Sequence, residues 1–449
     1  MPIGETYLLE KDEELRIEVD LLNEQEVIYV ELLSGIAEIF GTEMVINPGK
    51  SVRYKFNHGA KFSVYTYHGC SLTVYGQNQK TPYKSKNHPM IEHINVHSAL
   101  EDMRSQADKL DNGQGPTVMV VGPQDSGKTT VCKLLVNYAV RQNRSPVFVD
   151  LDVEQNSLCI PGSIAATLVE RPASIEEGFS KKFPLVYSHG NARDDDGLAN
   201  PLENSSLYKV LVSNMARAIK QRFEKDDNEA NKRAKKAGVI INTYGSVREE
   251  GYNQLRHIAE EFAVDVILVL GHERTYNSLA RDMKENGKDV KVIWLPKSNG
   301  VVDRDREPRQ EGARKSIKEY FYGLQVDKNK FELFPHRFDI KFHELKDKVF
   351  KIGAPQLPDS CMPIGYKADD SQTKAVAVSL TPEKLQNHVL AVTYAKDKDK
   401  LLETNVAGFI VVTEVNMKES KISVLSPQDK PLPKDTLLLL SDIKYIDDT

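Results

Sequence analysis

Residues 122–129 read Gly-Pro-Gln-Asp-Ser-Gly-Lys-Thr, two glycines with four residues between them, followed by a lysine and a hydroxyl. That spacing suits one task, the holding of a polyphosphate. Glycines let the backbone curl so that successive amide N–H groups converge on phosphate oxygens. Lys128 brings a point charge to the β- and γ-phosphates, and the Thr129 hydroxyl is a ligand for Mg²⁺. The pattern follows an apolar run, Thr117 to Val121, and precedes a stripe of Val131, Leu134, Leu135 and Tyr138. A strand before and a helix after are the context in which such a loop works, because the helix start adds positive potential.

Two further groups have chemistry-bearing spacing. Asp150 and Asp152 end the apolar run "SPVFVDLD", so both are expected on one face at the C-terminal end of a strand, where open α/β sheets take ligands. A carboxylate there can order Mg²⁺ through water or accept a proton from an attacking hydroxyl. Lys297, Arg304, Arg306 and Arg309 are expected in a loop after the last strand, able to close over nucleotide, although Asp303, Asp305 and Glu307 alternate with them. His93 and His97 are four apart beside Glu92, but no third ligand follows at metal spacing. They read as satisfied surface or core histidines. Trp294, the only tryptophan, is expected in the core.

These residues must be positioned by a chain of 449 residues, long enough for two or three domains. Up to about residue 97, short runs such as "LRIEVD" and "SLTVYG" alternate apolar and polar, the mark of a small all-β unit. Ser98 and Glu101 have capping-box spacing and predict a helix leading into the second unit. From about 117 to 295, five apolar runs alternate with helical segments, as in a parallel sheet covered on both faces. Beyond about 330 the texture is mixed and strand-rich. The expected division is residues 1–98, 99–330 and 331–449. A net charge of −5 gives no global attraction to nucleic acid, four scattered cysteines form no metal pair or disulfide framework, and no apolar run suits a membrane span.

At several stretches the chain resembles the Clp/Grc-type polynucleotide 5′-hydroxyl kinases, in particular their branch of cleavage-and-polyadenylation subunits found in cleavage factor IA of fungi. The resemblance runs nearly end to end through "ELLSGIAEIFGTE", "YTYHGCSLTVYG", "VDLDVEQNSLCIPGSIAA", "INTYGSV", "LPKSNGVV" and "KEYFYG". It implies an α/β protein: a central P-loop NTPase-like parallel-sheet domain flanked by an N-terminal all-β domain and a C-terminal mixed α/β domain.

The resemblance also implies ATP and Mg²⁺ as ligands, with Glu14 and Lys61 on the adenine side and Asp125, Ser126, Gly127, Lys128, Thr129 and Thr130 around the phosphates. Thr129 and Asp152 would hold the metal, and in an active member Asp152, Lys128, Arg304 and Arg309 would serve phosphoryl transfer. It implies a nuclear protein, partnered with the scaffold subunit of the cleavage factor and other 3′-end processing factors, with indirect contact to RNA. Departures from the family pattern fall on the acceptor side. Glu154 stands for the glycine of "DxDxGQ", Ser246 for a base-stacking tryptophan, and Asp194, Asp195 and Asp196 replace a Thr/Ser-Pro loop. The reading that follows is an ATP-binding subunit whose nucleotide is structural; an active RNA 5′-hydroxyl kinase and a cycling ATPase are the alternatives.

Overall fold

The computed structural model describes the chain except for residues 1–3, 23–25, 193–197, 226–227, 286, 288, 328–329, 354–371, 434 and 448–449. Asp194, Asp195 and Asp196 therefore lie outside the described residues.

The N-terminal runs form nine strands: β1 (Gly4–Leu9), β2 (Glu13–Glu18), β3 (Val27–Gly35), β4 (Glu38–Ile39), β5 (Thr42–Glu43), β6 (Arg53–Asn57), β7 (Lys61–Thr66), β8 (Cys70–Tyr75) and β9 (Tyr83–Ser85). They make two antiparallel sheets, ordered β1-β8-β3-β6 and β5-β4-β7-β2-β9. Period-two alternation explains the sandwich. Leu15 and Ile17 of β2 are buried with Val64, Ile28 and Leu72, while Glu14 and Arg16 face the other way. The linking helix, α1 (Met90–Asp108), starts eight residues before Ser98, which sits in mid-helix and caps nothing. The apolar spacing His93, Val96, His97, Leu100 sets that longer helix, and it outweighs the capping-box signal.

The central sheet holds all five expected strands: β10 (Thr117–Val121), β11 (Val147–Asp150), β14 (Val239–Asn242), β15 (Val266–Leu270) and β16 (Lys291–Leu295), every neighbouring pair parallel. Two short antiparallel strands, β12 (Ser163–Leu168) and β13 (Leu185–Ser188), extend one edge, giving the order β13-β12-β11-β14-β10-β15-β16. They lie between the second and third of the five apolar runs. Helices α2 (Lys128–Arg141), α3 (Ser205–Glu224), α4 (Glu229–Ala237), α5 (Glu249–Glu261), α6 (Glu273–Glu285) and α7 (Arg306–Tyr322) accompany it. Trp294 is not in the core. It lies on the edge strand β16 and is 47% exposed, because an edge strand is covered less completely than its neighbours.

The C-terminal unit is the strand-rich one expected. A seven-stranded sheet runs from His336–Lys341 at one edge through Val406–Asn416 and His388–Thr393 to Ala375–Ala377 at the other, with four-residue helices at Phe342–Leu345 and Pro382–Leu385. One face shares an apolar core with the central unit through Phe350, Val389, Val411 and Ile443.

The N-terminal sandwich keeps its own core and meets the central unit through a polar seam. Tyr138 of α2 donates to Glu38, Arg141 pairs with Glu38 at 2.7 Å, and Asn137 Nδ2 donates to the Phe40 carbonyl at 2.8 Å. Thr42 Oγ1 donates to Ala173 O at 2.8 Å, and Tyr65, Met90, Leu134 and Tyr138 form a small apolar patch beside the seam.

Candidate nucleotide site

The loop between β10 and α2 turns sharply at Gly127, whose φ of +88° lies in the left-handed region that glycine adopts without strain. Asp125 holds a positive φ of 52° in the same loop, a conformation that a non-glycine residue keeps only under constraint. Helix α2 starts at Lys128 with neither a side-chain cap nor an acidic residue in its first turn, and its first backbone bond runs from Val131 N to Gly127 O. The start of the helix is thus left to an anion.

Two side chains inside the loop fit the same occupant. Ser126 Oγ is buried and finds no hydrogen-bond partner among the described residues. Lys128 is 6% exposed, and its Nζ donates to the Pro123 carbonyl at 2.8 Å. Burial lowers the Lys128 pKa, with Asp152 pulling the other way. A cationic group buried at such expense calls for a phosphate oxygen. The residues present therefore fit ATP. Thr129 is exposed at the first turn of α2, and Asn242 Nδ2 donates to its Oγ1 at 3.3 Å.

Asp150 and Asp152 do different work. Asp150 is wholly buried and ends β11. It accepts from Ser157 Oγ at 2.5 Å, Ser157 N at 2.8 Å and Asn242 Nδ2 at 2.9 Å, and it takes the Asp152 backbone N–H at 3.1 Å. With its oxygens so engaged it sets the turn that presents Asp152. Lost hydration and the Asp150 carboxylate push Asp152 up to about 7, against the pull of Lys128. The pair expected on one strand face is a positioning group and a presented group.

Lys297 is half-exposed and pairs with Asp303 at 2.9 Å. Arg306 and Arg309 lie not in a loop but in the first turn of α7. Arg309 donates from Nη1 to Glu154 Oε1 at 3.1 Å and from Nη2 to Asp125 Oδ2; Arg304 N donates to Asp125 Oδ2 at 3.0 Å. Beyond them opens a cavity of about 230 Å³ walled in part by Gln124, Glu154, Asn200, Tyr244, Arg306 and Arg309.

On the N-terminal side, Glu14 is buried on β2 and accepts from Arg16 Nε at 2.5 Å. Arg16 Nη2 also donates to Asn87 O at 2.7 Å, and a Cβ placed on Gly300 would stand 2.9 Å from Arg16 Nε. Val301 in turn lies against Gly127, so the sandwich reaches the phosphate loop through the 298–301 turn. Sequence reasoning missed Arg16. Its only signal was its place two residues from Glu14 on the polar face of the same strand. Lys61 is not brought to this point. It pairs with Glu18 at 2.9 Å, four residues along the sheet from Tyr65, the partner of Glu14, or about 13 Å at roughly 3.3 Å per residue.

His93 and His97 are core residues, 4% and 3% exposed, with His97 beside Tyr138 of the seam, but they are not satisfied. Both ring nitrogens of His93 and Nδ1 of His97 lack partners among the described residues. No group of three or more metal-type side chains gathers among the described residues.

A mainly parallel sheet, a glycine-turned loop running into an uncapped helix, and a buried lysine aimed back across that loop define a P-loop nucleotide-binding protein. Three family descriptions match successive parts of the chain: an N-terminal β-sandwich domain of polyadenylation factor at residues 8–107, the mRNA cleavage and polyadenylation factor CLP1 P-loop at 122–323, and the pre-mRNA cleavage complex II protein Clp1 at 333–447. The chain belongs to the Clp1 family of mRNA cleavage and polyadenylation factors.

Among its relatives, the CLP1 homolog of Anopheles gambiae is 48% identical over 442 residues, covering 98% of this chain and 97% of the relative. That of Drosophila melanogaster is 46% identical over 445 residues, covering 99% and 98%. Two solved structures share the fold. One is a wild-type Clp1p–Pcf11p complex (TM-score 0.81, 24% identity, 100% of this chain and 99% of the other). The second, described by an extended interface between Pcf11p and Clp1p and by ATP loss in a point mutant, gives a TM-score of 0.80 at 25% identity over all of both chains.

Proposed function

We propose that this chain is an ATP-binding subunit of the nuclear machinery that cleaves and polyadenylates pre-mRNA, and that its nucleotide is structural. The observation that carries the reading is the buried Lys128 beside the orphaned Ser126 hydroxyl at an uncapped helix start. Bound ATP supplies the negative charge that this cradle lacks. Lys128, Ser126 and the 125–130 backbone would bind its phosphates, and Thr129 with Asp152 would hold Mg²⁺. Glu14, with Arg16 behind it, would orient the base at the N-terminal unit, whereas Lys61 is held by Glu18 in this arrangement. The seam of Glu38, Tyr138 and Arg141 already joins the two units, so ATP would reinforce an existing contact.

The partner we infer is the scaffold subunit of the same cleavage factor, supported by family membership and by the Pcf11p complex of a structural relative. We assign domain limits of 1–98, 99–330 and 331–449; the first falls within α1.

A second reading, an active RNA 5′-hydroxyl kinase, is favoured by Asp152, whose carboxyl is raised to about 7 beside Lys128, as suits a general base. ATP labelled at the γ-phosphate, incubated with RNA bearing a free 5′-hydroxyl, tests the choice. A structural role leaves the label on protein-bound ATP. Sustained transfer to RNA, lost with Lys128→Ala, overturns it.

A further inference from the structure

The ion pairs around Arg309 have a consequence for nucleotide exchange. Each nitrogen of its guanidinium is engaged: Nη1 with Glu154, Nη2 with Asp125, and Nε with the Arg304 carbonyl at 3.0 Å. The side chains involved are nearly closed off from water, Arg309 being 11% exposed, Glu154 6% and Asp125 7%. Glu154 is itself braced by Gln124 Nε2 at 2.9 Å, from within the phosphate loop. Three segments are thereby tied at one point: the phosphate loop through Asp125 and Gln124, the turn after β11 through Glu154, and the start of α7 through Arg309.

We propose that Glu154, Arg309 and Asp125 form a latch that holds the start of α7 shut over the phosphate loop and so sets the rate at which ATP leaves. This inference rests on the ATP site proposed above. The latch closes on the protein's own carboxylates, so it stays shut whether or not the terminal phosphate is there to attract an arginine. To let nucleotide out, the start of α7 must lift, and lifting it parts two carboxylates from one guanidinium in a site poor in water. Such a separation raises the barrier to release far more than parting an exposed pair would. The same engagement keeps Arg309 from turning toward a transferring phosphoryl group. Slow exchange and weak transfer are therefore two results of one contact.

The test is the release of a fluorescent ATP analogue from the full chain, chased with excess unlabelled ATP in a stopped-flow instrument. Glu154→Gln keeps the side-chain size and the Gln124 contact while removing the charge. It should speed release by about tenfold or more. Arg309→Lys keeps a charge but not the fork, and it should also speed release. Combining Glu154→Gln with Arg309→Lys should do no more than the faster single change, since both open one latch. Release from Glu154→Gln within twofold of the unaltered chain overturns the latch, as do effects of the two changes that multiply. If Glu154→Gln fails to fold, Arg309→Lys decides alone, release at the unaltered rate overturning the proposal. An unaltered chain that takes up no analogue defeats the ATP site itself, and the latch with it; uptake with unchanged rates defeats the latch only.

Discussion

Lys128 Nζ hydrogen-bonds to the carbonyl of Pro123 at 2.8 Å, across the loop that both residues belong to. The lysine is folded back onto its own backbone, and burial disfavours its charge. Without nucleotide this group is a burden; on the function proposed above, a bound phosphate would make it the main contact. Lys128→Ala should therefore weaken ATP binding by about 10- to 100-fold, the worth of a charge-assisted bond. The nucleotide-free variant should be no less heat-stable than the nucleotide-free parent. Only the parent should gain stability from ATP, about 2.7 kcal/mol at a hundredfold excess over Kd. Calorimetric titration and melting with and without ATP check both halves.

Glu38 and Arg141 hold the sandwich to α2 at 2.7 Å, with Glu38 nearly buried and Arg141 about one-third exposed. Among the described residues, Arg141→Ala leaves the Tyr138 hydroxyl as the one hydrogen-bond partner of the Glu38 carboxylate. A loss of about 2–3 kcal/mol is expected, below the value for a fully buried pair because water reaches the arginine. Glu38→Gln should be milder, since burial already raises the Glu38 pKa. Chemical unfolding of the two variants measures the difference.

The buried histidines should make the protein acid-sensitive. Burial lowers His93 and His97 to about 4 from the ordinary 6.5. Between those values the unfolded chain binds more protons, so stability is whole above about pH 6.5 and falls as pH drops toward 4. Over about 2.5 units at about 1.4 kcal/mol each, one ring accounts for roughly 3 kcal/mol at most. Glu38 acts in the opposite sense: its raised pKa favours the fold at low pH, and that contribution is lost as pH rises through its folded value. His93→Phe should flatten the fall in melting temperature between pH 6.5 and 4. An unchanged slope contradicts the assignment.

Asp152 accepts the backbone N–H groups of Glu154 at 3.0 Å and Gln155 at 3.2 Å, and it does not anchor the sheet. Asp152→Asn should keep ATP bound at neutral pH while weakening Mg²⁺ dependence. Any residual phosphoryl transfer should disappear.

The sequence spoke most clearly where physics is local. The glycine spacing around Lys128, the five apolar runs of the central sheet and the alternation that buries Leu15 and Ile17 all carry their structural cause within a few residues. Long-range choices were not legible. Nothing in "VKVIWL" says that its strand lies at an edge, so Trp294 reads as core and proves half-exposed. Arg309 reads as a loop residue, yet it lies in the first turn of α7, where the preceding Pro308 is tolerated. The Glu154–Arg309 pair joins positions 155 residues apart, and no spacing rule reaches so far. The antiparallel strands β12 and β13 lie between two of the five apolar runs, and their pattern is set by the sheet edge they extend.

The nucleotide content of the purified full chain decides whether ATP is a resident part of the protein. Protein freed of loosely held ligand, extracted with acid and resolved by chromatography, should yield close to one intact ATP per chain, and Lys128→Ala should yield almost none. An unaltered chain that emerges empty, or that carries ADP and loses it as readily as the Lys128 variant does, contradicts the account.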